Sequence, residues 1–179
     1  MNIEVLDEWL PHNSRPANTV VDVLCLHHTA DRGTPENDVE RVIADWRRRQ
    51  SPYRVSAHYI LGRSGRTVKC VPYRKRAWHA GRSTGPHGTS VNDRSVGVEL
   101  CNNGIGEPYP EVQVHAFFEL MCELRNNAPR LRYFTGHHNV GTPRDRKVDP
   151  WGIDMLDFAE RLDMRFFNLP DGRPASRGI

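Results

Sequence analysis

The chain has 179 residues, of which 37% are hydrophobic and 8% aromatic, and a formal net charge of +3. This length and composition suit one globular domain with its own core and leave little room for a second. The charge is far below that of a dedicated nucleic-acid binder, and no run of eighteen apolar residues predicts a membrane span. Nucleic acid and membrane are therefore not expected partners, whereas the oligomeric state stays open.

The cysteines and the N-terminus bear on the cellular compartment. The cysteines contain no CxxC pair, so neither a zinc ribbon nor a thioredoxin-like motif is predicted, and free thiols are expected. The first eight residues lack the basic and apolar regions of a signal peptide, which predicts synthesis and folding in the cytoplasm. The cysteines are Cys25, Cys70, Cys101 and Cys122.

Hydrophobic periodicity predicts strands that interleave with helices. The predicted strands span residues 20–26, 55–61, 66–71, 95–101 and 132–135, and the predicted helices span 34 to about Gln50, 110–127 and 153–166. Gly62 and Gly65 suit a hairpin turn between the second and third strands. This order predicts an α/β fold with a single central mixed sheet flanked by helices.

The remaining segments set the expected domain boundaries. Residues 1–19 are predicted to be an N-terminal extension packed on a catalytic domain at 20–166. Residues 80–92 contain glycines and a proline without periodicity, which predicts a long surface loop bordering a substrate groove. Residues 167–179 have little apolar content and are predicted to be a disordered tail.

Two pairs of histidines at predicted strand ends suggest a metal site in a surface groove. His27-His28 follows the first strand, and His137-His138 follows the last, with Asp149 downstream. Adjacent residues on a strand point to opposite faces, so one histidine of each pair must serve another purpose. Two imidazoles and a carboxylate would leave a fourth position of one Zn²⁺ open for water, as in hydrolytic zinc sites. Ordinary core or surface histidines are the alternative interpretation.

Five motifs in order then indicate a family. They resemble those of the type 2 N-acetylmuramoyl-L-alanine amidases, which include AmpD-like recycling amidases, phage amidase endolysins and peptidoglycan-recognition proteins. The similarity covers roughly residues 20 to 163. The motifs are LHHTA at 26–30, RVSAHY at 54–59, RAWHAG at 76–81, SVGVEL at 95–100, and TGHHN at 135–139 with RKVDP at 146–150.

The resemblance implies roles for particular residues. It places the zinc ligands at His27, His137 and Asp149, where some members have cysteine at the last position. Glu99 matches the acidic residue that activates the zinc-bound water, and Lys147 matches the lysine that supports the transition state. Alternation along residues 95–101 independently puts Glu99 on the less apolar face of its strand.

Other positions are less well matched. Some family members have a catalytic tyrosine just before the histidine that corresponds to His58. This chain has Ala57 at that position, so Glu99 would act as the base without a partner. His58 is expected to be a core or supporting residue, because a fourth protein ligand would close the zinc site. The residues expected to contact substrate are Trp78, His79, Arg82 and Asn92.

Three functions follow as hypotheses. The first is a zinc amidase that cleaves the lactyl-L-alanine amide of peptidoglycan, in a bacteriolytic, endolysin-like role, with cytosolic muropeptide recycling as the alternative. The lytic role rests on a short segment between His28 and Val55, which would leave an open groove. The second is a non-catalytic peptidoglycan-recognition module. The third is nucleic-acid binding through the basic clusters Arg47–Arg49 and Arg74–Arg76, although a solvated helix end explains the first cluster.

Overall fold

The computed structural model describes residues 2–49, 51–52 and 54–178. The strands of the described chain are β1 (Ile3–Val5), β2 (His12–Ser14), β3 (Val23–His28), β4 (Tyr59–Leu61), β5 (Thr67–Lys69), β6 (Lys75–Ala77), β7 (Thr84–Gly85), β8 (Gly88–Thr89), β9 (Ser95–Leu100), β10 (Tyr133–Gly136) and β11 (Arg165–Phe166). The helices are α1 (Asp38–Arg48), α2 (Val91–Arg94), α3 (Glu111–Asn127), α4 (His137–Val140) and α5 (Met155–Arg161).

A mixed sheet forms the centre of the fold. Its strand order is β1-β5-β4-β9-β3-β10-β11, and every neighbouring pair is parallel except β4 with β5, which form the predicted hairpin. Two small antiparallel pairs, β2 with β6 and β7 with β8, lie outside it. The predicted α/β fold with one mixed sheet flanked by helices is therefore confirmed.

The central strands β3 and β9 are buried at every position, as continuous apolar runs predict for strands covered on both faces. On one face, their leucines and valines join α3 and α5 in the largest apolar cluster. On the other face, α1 packs over β4 and β5 around Ile60 and Val68, while Cys25, Ala80 and Val91 form a smaller cluster. The described cysteines are free thiols, as expected.

Helix α1 begins later than predicted. Thr34 and Pro35 lie in a turn, and the helix starts at Asp38, whose carboxylate is buried. That carboxylate accepts a 2.8 Å hydrogen bond from the Arg63 backbone N–H and lies 3.3 Å from its guanidinium. The helix ends at Arg48, and the predicted end near Gln50 lies outside the described residues.

The segment predicted as one helix at 153–166 divides into two elements, which corrects that prediction. Asp154 caps α5 by accepting hydrogen bonds from two backbone N–H groups, and the helix ends at Arg161. Residues 165–166 instead form β11, because they pair in parallel with β10 at the sheet edge. Likewise, the predicted loop at 80–92 contains the β7–β8 pair and the start of α2.

Both termini contact the domain. β1 adds an edge strand to the central sheet, and Leu10 is 1% exposed. Near the C-terminus the structure differs from the expected disorder: the Arg173 guanidinium is buried and donates to the carbonyls of His138 and Gly141. Polar contacts rather than apolar burial hold this segment, so its low apolar content did not indicate that it packs against the domain. Among the described residues, no helix has both the length and the apolar character needed to cross a membrane.

Candidate metal centre and active-site groove

The candidate site lies where three parallel strands end. His27 in β3 is directly opposite Glu99 in β9, and Gly136 at the end of β10 is opposite Leu26. His137 follows Gly136 as the first residue of α4. Parallel strands present their carboxyl ends at one edge of a sheet, which is where α/β folds commonly bind ligands.

Three donor atoms meet at this edge. Nδ1 of His27 lies 3.0 Å from Nδ1 of His137, and Oδ2 of Asp149 lies 3.1 Å and 3.0 Å from the two nitrogens. Donor atoms of a tetrahedral zinc site, each about 2.0–2.2 Å from the ion, are about 3.3 Å apart. The sequence-predicted ligand residues are thus brought together with a spacing close to that of one small cation.

The protonation of these groups also suits a metal. The Nε2–H of His137 donates to the carbonyl of Ala80 at 2.9 Å, which leaves the Nδ1 lone pair free. Burial, followed by the nearby His137, lowers the pKa of His27 to about 4. Burial alone would raise the pKa of Asp149, but His137 and His27 outweigh it and hold that pKa well below its usual range. The site therefore offers a neutral His27 imidazole, the free Nδ1 lone pair of His137 and a carboxylate, the forms that metals bind.

The second histidine of each pair anchors the loop that bears Asp149. Nδ1 of His28 accepts a 3.0 Å hydrogen bond from the Trp151 backbone N–H. The backbone N–H of His138 donates to the Asp149 carbonyl at 2.8 Å. Each pair thus divides between the candidate metal centre and the support of the neighbouring loop. For His27 and His28 the opposite faces of adjacent strand residues explain this, whereas His137 and His138 lie in the short helix α4 rather than at the predicted strand end.

Glu99 is buried, and its Oε2 has no hydrogen-bond partner among the residues that the structure describes. Burial raises the pKa of its carboxyl well above the usual range, and the negative Asp149 raises it further, whereas Lys147 opposes the shift. A buried carboxyl without a partner is costly and is characteristic of functional sites. Glu99 is therefore placed and tuned as a candidate proton acceptor.

Glu99, His137 and Asp149 line a cavity of about 300 Å³, which we call the groove. The residues lining the groove are His28, Thr29, Trp46, Arg49, Arg54, Val55, Trp78, His79, Gly81, Glu99, His137, Arg146, Lys147 and Asp149.

The four residues expected to contact substrate have different positions. Trp78 is half-buried and lines the groove, with the Arg76 guanidinium 4.3 Å above its ring. Arg82 is exposed and lines a neighbouring cavity of about 400 Å³ instead. Asn92 is 2% exposed, and its Oδ1 accepts hydrogen bonds from the backbone N–H groups of His79 and Ala80. The expectation of substrate contact therefore does not fit Asn92, which holds the wall of the groove.

His79 also differs from the expectation. It borders the groove but is only 6% exposed, and its Nδ1 lies 2.9 Å from Nε2 of His27. Both ring nitrogens have protein partners, because Nε2 lies 3.0 Å from the Ser95 hydroxyl. A side chain held in this way has no free polar atom for substrate.

His58 is a core residue, as expected. It is fully buried, and its Nδ1 accepts the Gly97 backbone N–H at 2.9 Å while Nε2 lies 3.0 Å from the Lys75 carbonyl. Burial, with a smaller contribution from Arg15, lowers the pKa of His58 to about 3. Ala57 is fully buried and offers no polar group.

The groove includes residues that the sequence did not indicate. Trp46 and Arg49 extend from the end of α1, and Arg54 lies beyond it. The Arg47–Arg49 cluster was interpreted as a solvated helix end, which hid the contribution of Arg49. The spacing of Trp46 and Arg49 could have indicated that Arg49 belongs to the same surface as Trp46, since residues three apart on a helix share a face.

Comparison with known proteins identifies relatives. The chain is 40% identical over 98 residues to the 1,6-anhydro-N-acetylmuramyl-L-alanine amidase AmpD of Salmonella typhimurium, a match that covers 54% of this chain and 51% of that protein. It is 30% identical over 149 residues to the N-acetylmuramoyl-L-alanine amidase AmiD of Escherichia coli, covering 73% of this chain and 49% of AmiD. The chain thus spans about half the length of the curated relatives it matches.

The fold is shared as well. A crystal structure of a selenomethionine AmpD derivative superimposes with a TM-score of 0.70 and 26% identity, covering 89% of this chain and 93% of AmpD. The N-acetylmuramoyl-L-alanine amidase family matches residues 17–152, a range that contains His27, Glu99, His137, Lys147 and Asp149. The chain belongs to the N-acetylmuramoyl-L-alanine amidase family.

Proposed function

We propose that this chain is a zinc-dependent N-acetylmuramoyl-L-alanine amidase. It hydrolyses the amide between the lactyl group of N-acetylmuramic acid and the L-alanine of the stem peptide. The observation that supports this most directly is the meeting of His27, His137 and Asp149 within 3.1 Å, beside Glu99 and Lys147 in one groove.

One Zn²⁺ per chain would be held by His27, His137 and Asp149. Two nitrogens and one oxygen suit this ion, and three protein ligands leave a position for water or substrate. When bound, Zn²⁺ lowers the pKa of a coordinated water and polarises a scissile carbonyl. The neutral His27 imidazole, the free Nδ1 lone pair of His137 and the Asp149 carboxylate support this assignment.

Glu99 acts as the general base in this proposal. Its Oε2 has no hydrogen-bond partner among the described residues, and Glu99 lies opposite His27 and lines the groove together with His137 and Asp149, so it is placed to accept the proton of the attacking water. A carboxylate with a raised pKa is a stronger base, and general bases work best when their pKa lies near the operating pH. The same group can return the proton to the leaving amine of L-alanine. Ala57 supplies no alternative base.

Lys147 stabilises the charge that develops on the carbonyl oxygen of the substrate. It lines the groove and lies close enough to influence the pKa of both Glu99 and His27. An ammonium in a partly buried groove interacts more strongly with a developing oxyanion than it would in water. Lys147 therefore favours the transition state over the neutral amide.

The substrate we place first is a soluble 1,6-anhydro-muropeptide, as the name of AmpD states for that protein. The sequence favoured a lytic, endolysin-like role because recycling amidases were expected to carry a longer insertion between His28 and Val55. We place the soluble substrate first because the match to AmpD covers 54% of this chain, whereas the lytic role depends on loop length alone.

Product analysis by mass spectrometry tests the proposal. The zinc-loaded protein is incubated separately with soluble anhydro-muropeptides and with intact sacculi, with Glu99→Gln as the matched variant. We expect stem peptides with a free L-alanine amino group from the soluble substrate, and little release by the variant. Cleavage of sacculi alone would favour the lytic role. Binding without cleavage of either substrate would instead identify a peptidoglycan-recognition module.

A further inference from the structure

The structure contains a directed series of hydrogen bonds that ends at Nε2 of His27, the ring nitrogen that faces away from the candidate metal centre. It starts at the Val91 carbonyl, which accepts the hydroxyl hydrogen of Ser95 at 2.7 Å. The Ser95 oxygen lies 3.0 Å from Nε2 of His79, and Nδ1 of His79 lies 2.9 Å from Nε2 of His27. Each of these three side chains is buried.

The chemistry of the carbonyl fixes the direction of every bond in the series. A carbonyl only accepts, so the Ser95 hydroxyl donates to it and has only its lone pairs left for His79. His79 must then carry its hydrogen on Nε2, and its Nδ1 can only accept. His27 in turn must carry its hydrogen on Nε2, which leaves Nδ1 as a bare lone pair.

We propose that His79 and Ser95 are positioning residues that hold His27 in the one tautomer able to bind a metal through Nδ1. Neither residue contacts the metal or the substrate. This inference rests on the proposed zinc site, but the tautomers it specifies also exist in the metal-free protein. It replaces the earlier expectation that His79 contacts substrate.

The surroundings of His79 are built to hold its ring in this position. The backbone N–H groups of His79 and Ala80 both donate to Oδ1 of Asn92, which fixes the segment. The ring lies over Gly97 so closely that a Cβ there would be 2.4 Å from its Cγ. Glycine at position 97 is therefore required by the ring, and Asn92, Gly97 and Ser95 together set its orientation.

The series needs a neutral His79 ring, because an imidazolium would present N–H on both sides and could not accept from His27. The ring is buried between Ser95 and His27, and each of its nitrogens has a partner there. The second ligand is held differently, since His137 donates directly to the Ala80 carbonyl. The two imidazole ligands thus have separate supports.

A second interpretation uses the same residues. Donor atoms of Cys25, His27 and His79 also lie within 4.8 Å of one another and could hold a cation. In that case an ion, rather than a hydrogen, would lie between His27 and His79. The hydrogen-bond series gives both nitrogens of His79 a partner without any ion, so we prefer it to this second site.

The test combines zinc affinity with direct observation of tautomers. Zinc dissociation constants are measured by chelator competition for Ser95→Ala, His79→Leu and His79→Asn. Ser83→Ala is the matched control, because Ser83 is also buried and bonded near Val91 but lies outside the series. We expect Ser95→Ala and His79→Leu to weaken zinc binding by about ten- to a hundredfold, as loss of partners to metal-bound histidines typically does. His79→Asn keeps an acceptor near the Nδ1 position and should recover part of the loss, while Ser83→Ala should bind zinc as the parent protein does.

A long-range ¹H–¹⁵N correlation spectrum of the parent protein needs no variant to fold. It should show hydrogen on Nε2 of both His27 and His79, with and without zinc. Hydrogen on Nδ1 of His79, equal zinc affinity of Ser95→Ala and Ser83→Ala, or a second zinc per chain bound through Cys25 would overturn the inference. If the protein binds no zinc yet shows the expected tautomers, the proposed zinc function fails while the hydrogen-bond order stands.

Discussion

The two faces of the central sheet are both buried but differ in what they bury. On the face packed by α3 and α5, β3 and β9 present Leu24, Leu26, Val96, Val98 and Leu100. On the opposite face, the intervening positions are Cys25, His27, Gly97 and Glu99, all of which are buried. We call these the apolar face and the histidine face.

The energetic demands on the two faces are different. Apolar side chains gain free energy from burial wherever they pack, whereas buried polar groups gain little unless each finds a hydrogen-bond partner. On the histidine face, His58 and His79 have hydrogen-bond partners at both ring nitrogens, and Nε2 of His27 donates to His79. Oε2 of Glu99 and Nδ1 of His27 have no hydrogen-bond donor in the described part of the chain, and both lie at the candidate reaction site. Along β3 and β9, therefore, one face supplies stability through apolar packing, whereas the other carries the groups that can do chemistry.

The largest expected effect is on activity, from Glu99→Gln on the histidine face. The amide keeps the shape of the side chain but cannot accept a proton, so kcat should fall by about a hundred- to ten-thousandfold. Zinc content and the unfolding midpoint should change little, because Glu99 is not a proposed ligand. Steady-state kinetics with metal analysis checks this, with Glu119→Gln on α3, whose side chain is 42% exposed, as the control. A variant with nearly normal kcat would assign the base role elsewhere.

The next effect is on stability, from Phe117→Ala on the apolar face. Phe117 is fully buried and stacks on Phe158 with ring centroids 5.6 Å apart. Removing such a ring leaves a cavity and should lower the free energy of unfolding by about 3–5 kcal/mol. Urea unfolding measures the loss, and zinc affinity of the folded protein should be unchanged. Weaker zinc binding would show that the two faces are not independent.

The sequence predicted which strand residues point to each face better than it predicted which histidines bind the metal. Alternation along residues 95–101 was enough to separate Glu99 from its apolar neighbours, because the period of a strand is two. The histidine pairs were harder, since periodicity shows only that one member of each pair faces the site. The family resemblance selected His27 and His137, and the structure brings these two together with Asp149.

What the sequence missed depended on contacts between distant segments. β1, β2 and β6 are three residues each and include polar side chains, so no periodicity identified them. Asn92 was interpreted as a substrate residue because its partners, the backbone N–H groups of residues 79 and 80, have no sequence signature. The order of Ser95, His79 and His27 likewise appears only when three separate segments meet.

A smaller effect is on the pH dependence of stability, which comes from the buried histidines of the histidine face. Unfolded His58 binds a proton near its ordinary pKa of 6.5, whereas burial lowers its pKa to about 3 in the folded protein. Between these values the unfolded chain holds a proton that the folded chain lacks, so acid favours unfolding. The free energy of unfolding should fall by about 1.4 kcal/mol per pH unit below pH 6.5 from this histidine alone.

Urea unfolding of the metal-free protein at several pH values between 7.5 and 5 measures this slope. His58→Gln should give a shallower slope than the parent, even if it is less stable at every pH. His115→Gln is the control, because His115 is exposed on α3 and its removal should leave the slope unchanged. An unchanged slope in His58→Gln would mean that other buried groups account for the acid sensitivity.

The smallest effect is expected at the start of α5, which packs on the apolar face. The Asp154 carboxylate accepts hydrogen bonds from the backbone N–H groups of Leu156 at 2.9 Å and Asp157 at 3.2 Å. Asp154→Ala removes this cap and should lower the free energy of unfolding by about 1 kcal/mol. Asp154→Asn is the matched variant, because its side-chain oxygen can still accept both hydrogen bonds and should retain most of the stability. If Asn proves as costly as Ala, the carboxylate charge near the helix N-terminus contributes more than the hydrogen bonds do. In either case zinc affinity should not change, since α5 lies across the sheet from the metal ligands, and a change would show that the helix position is transmitted through the sheet.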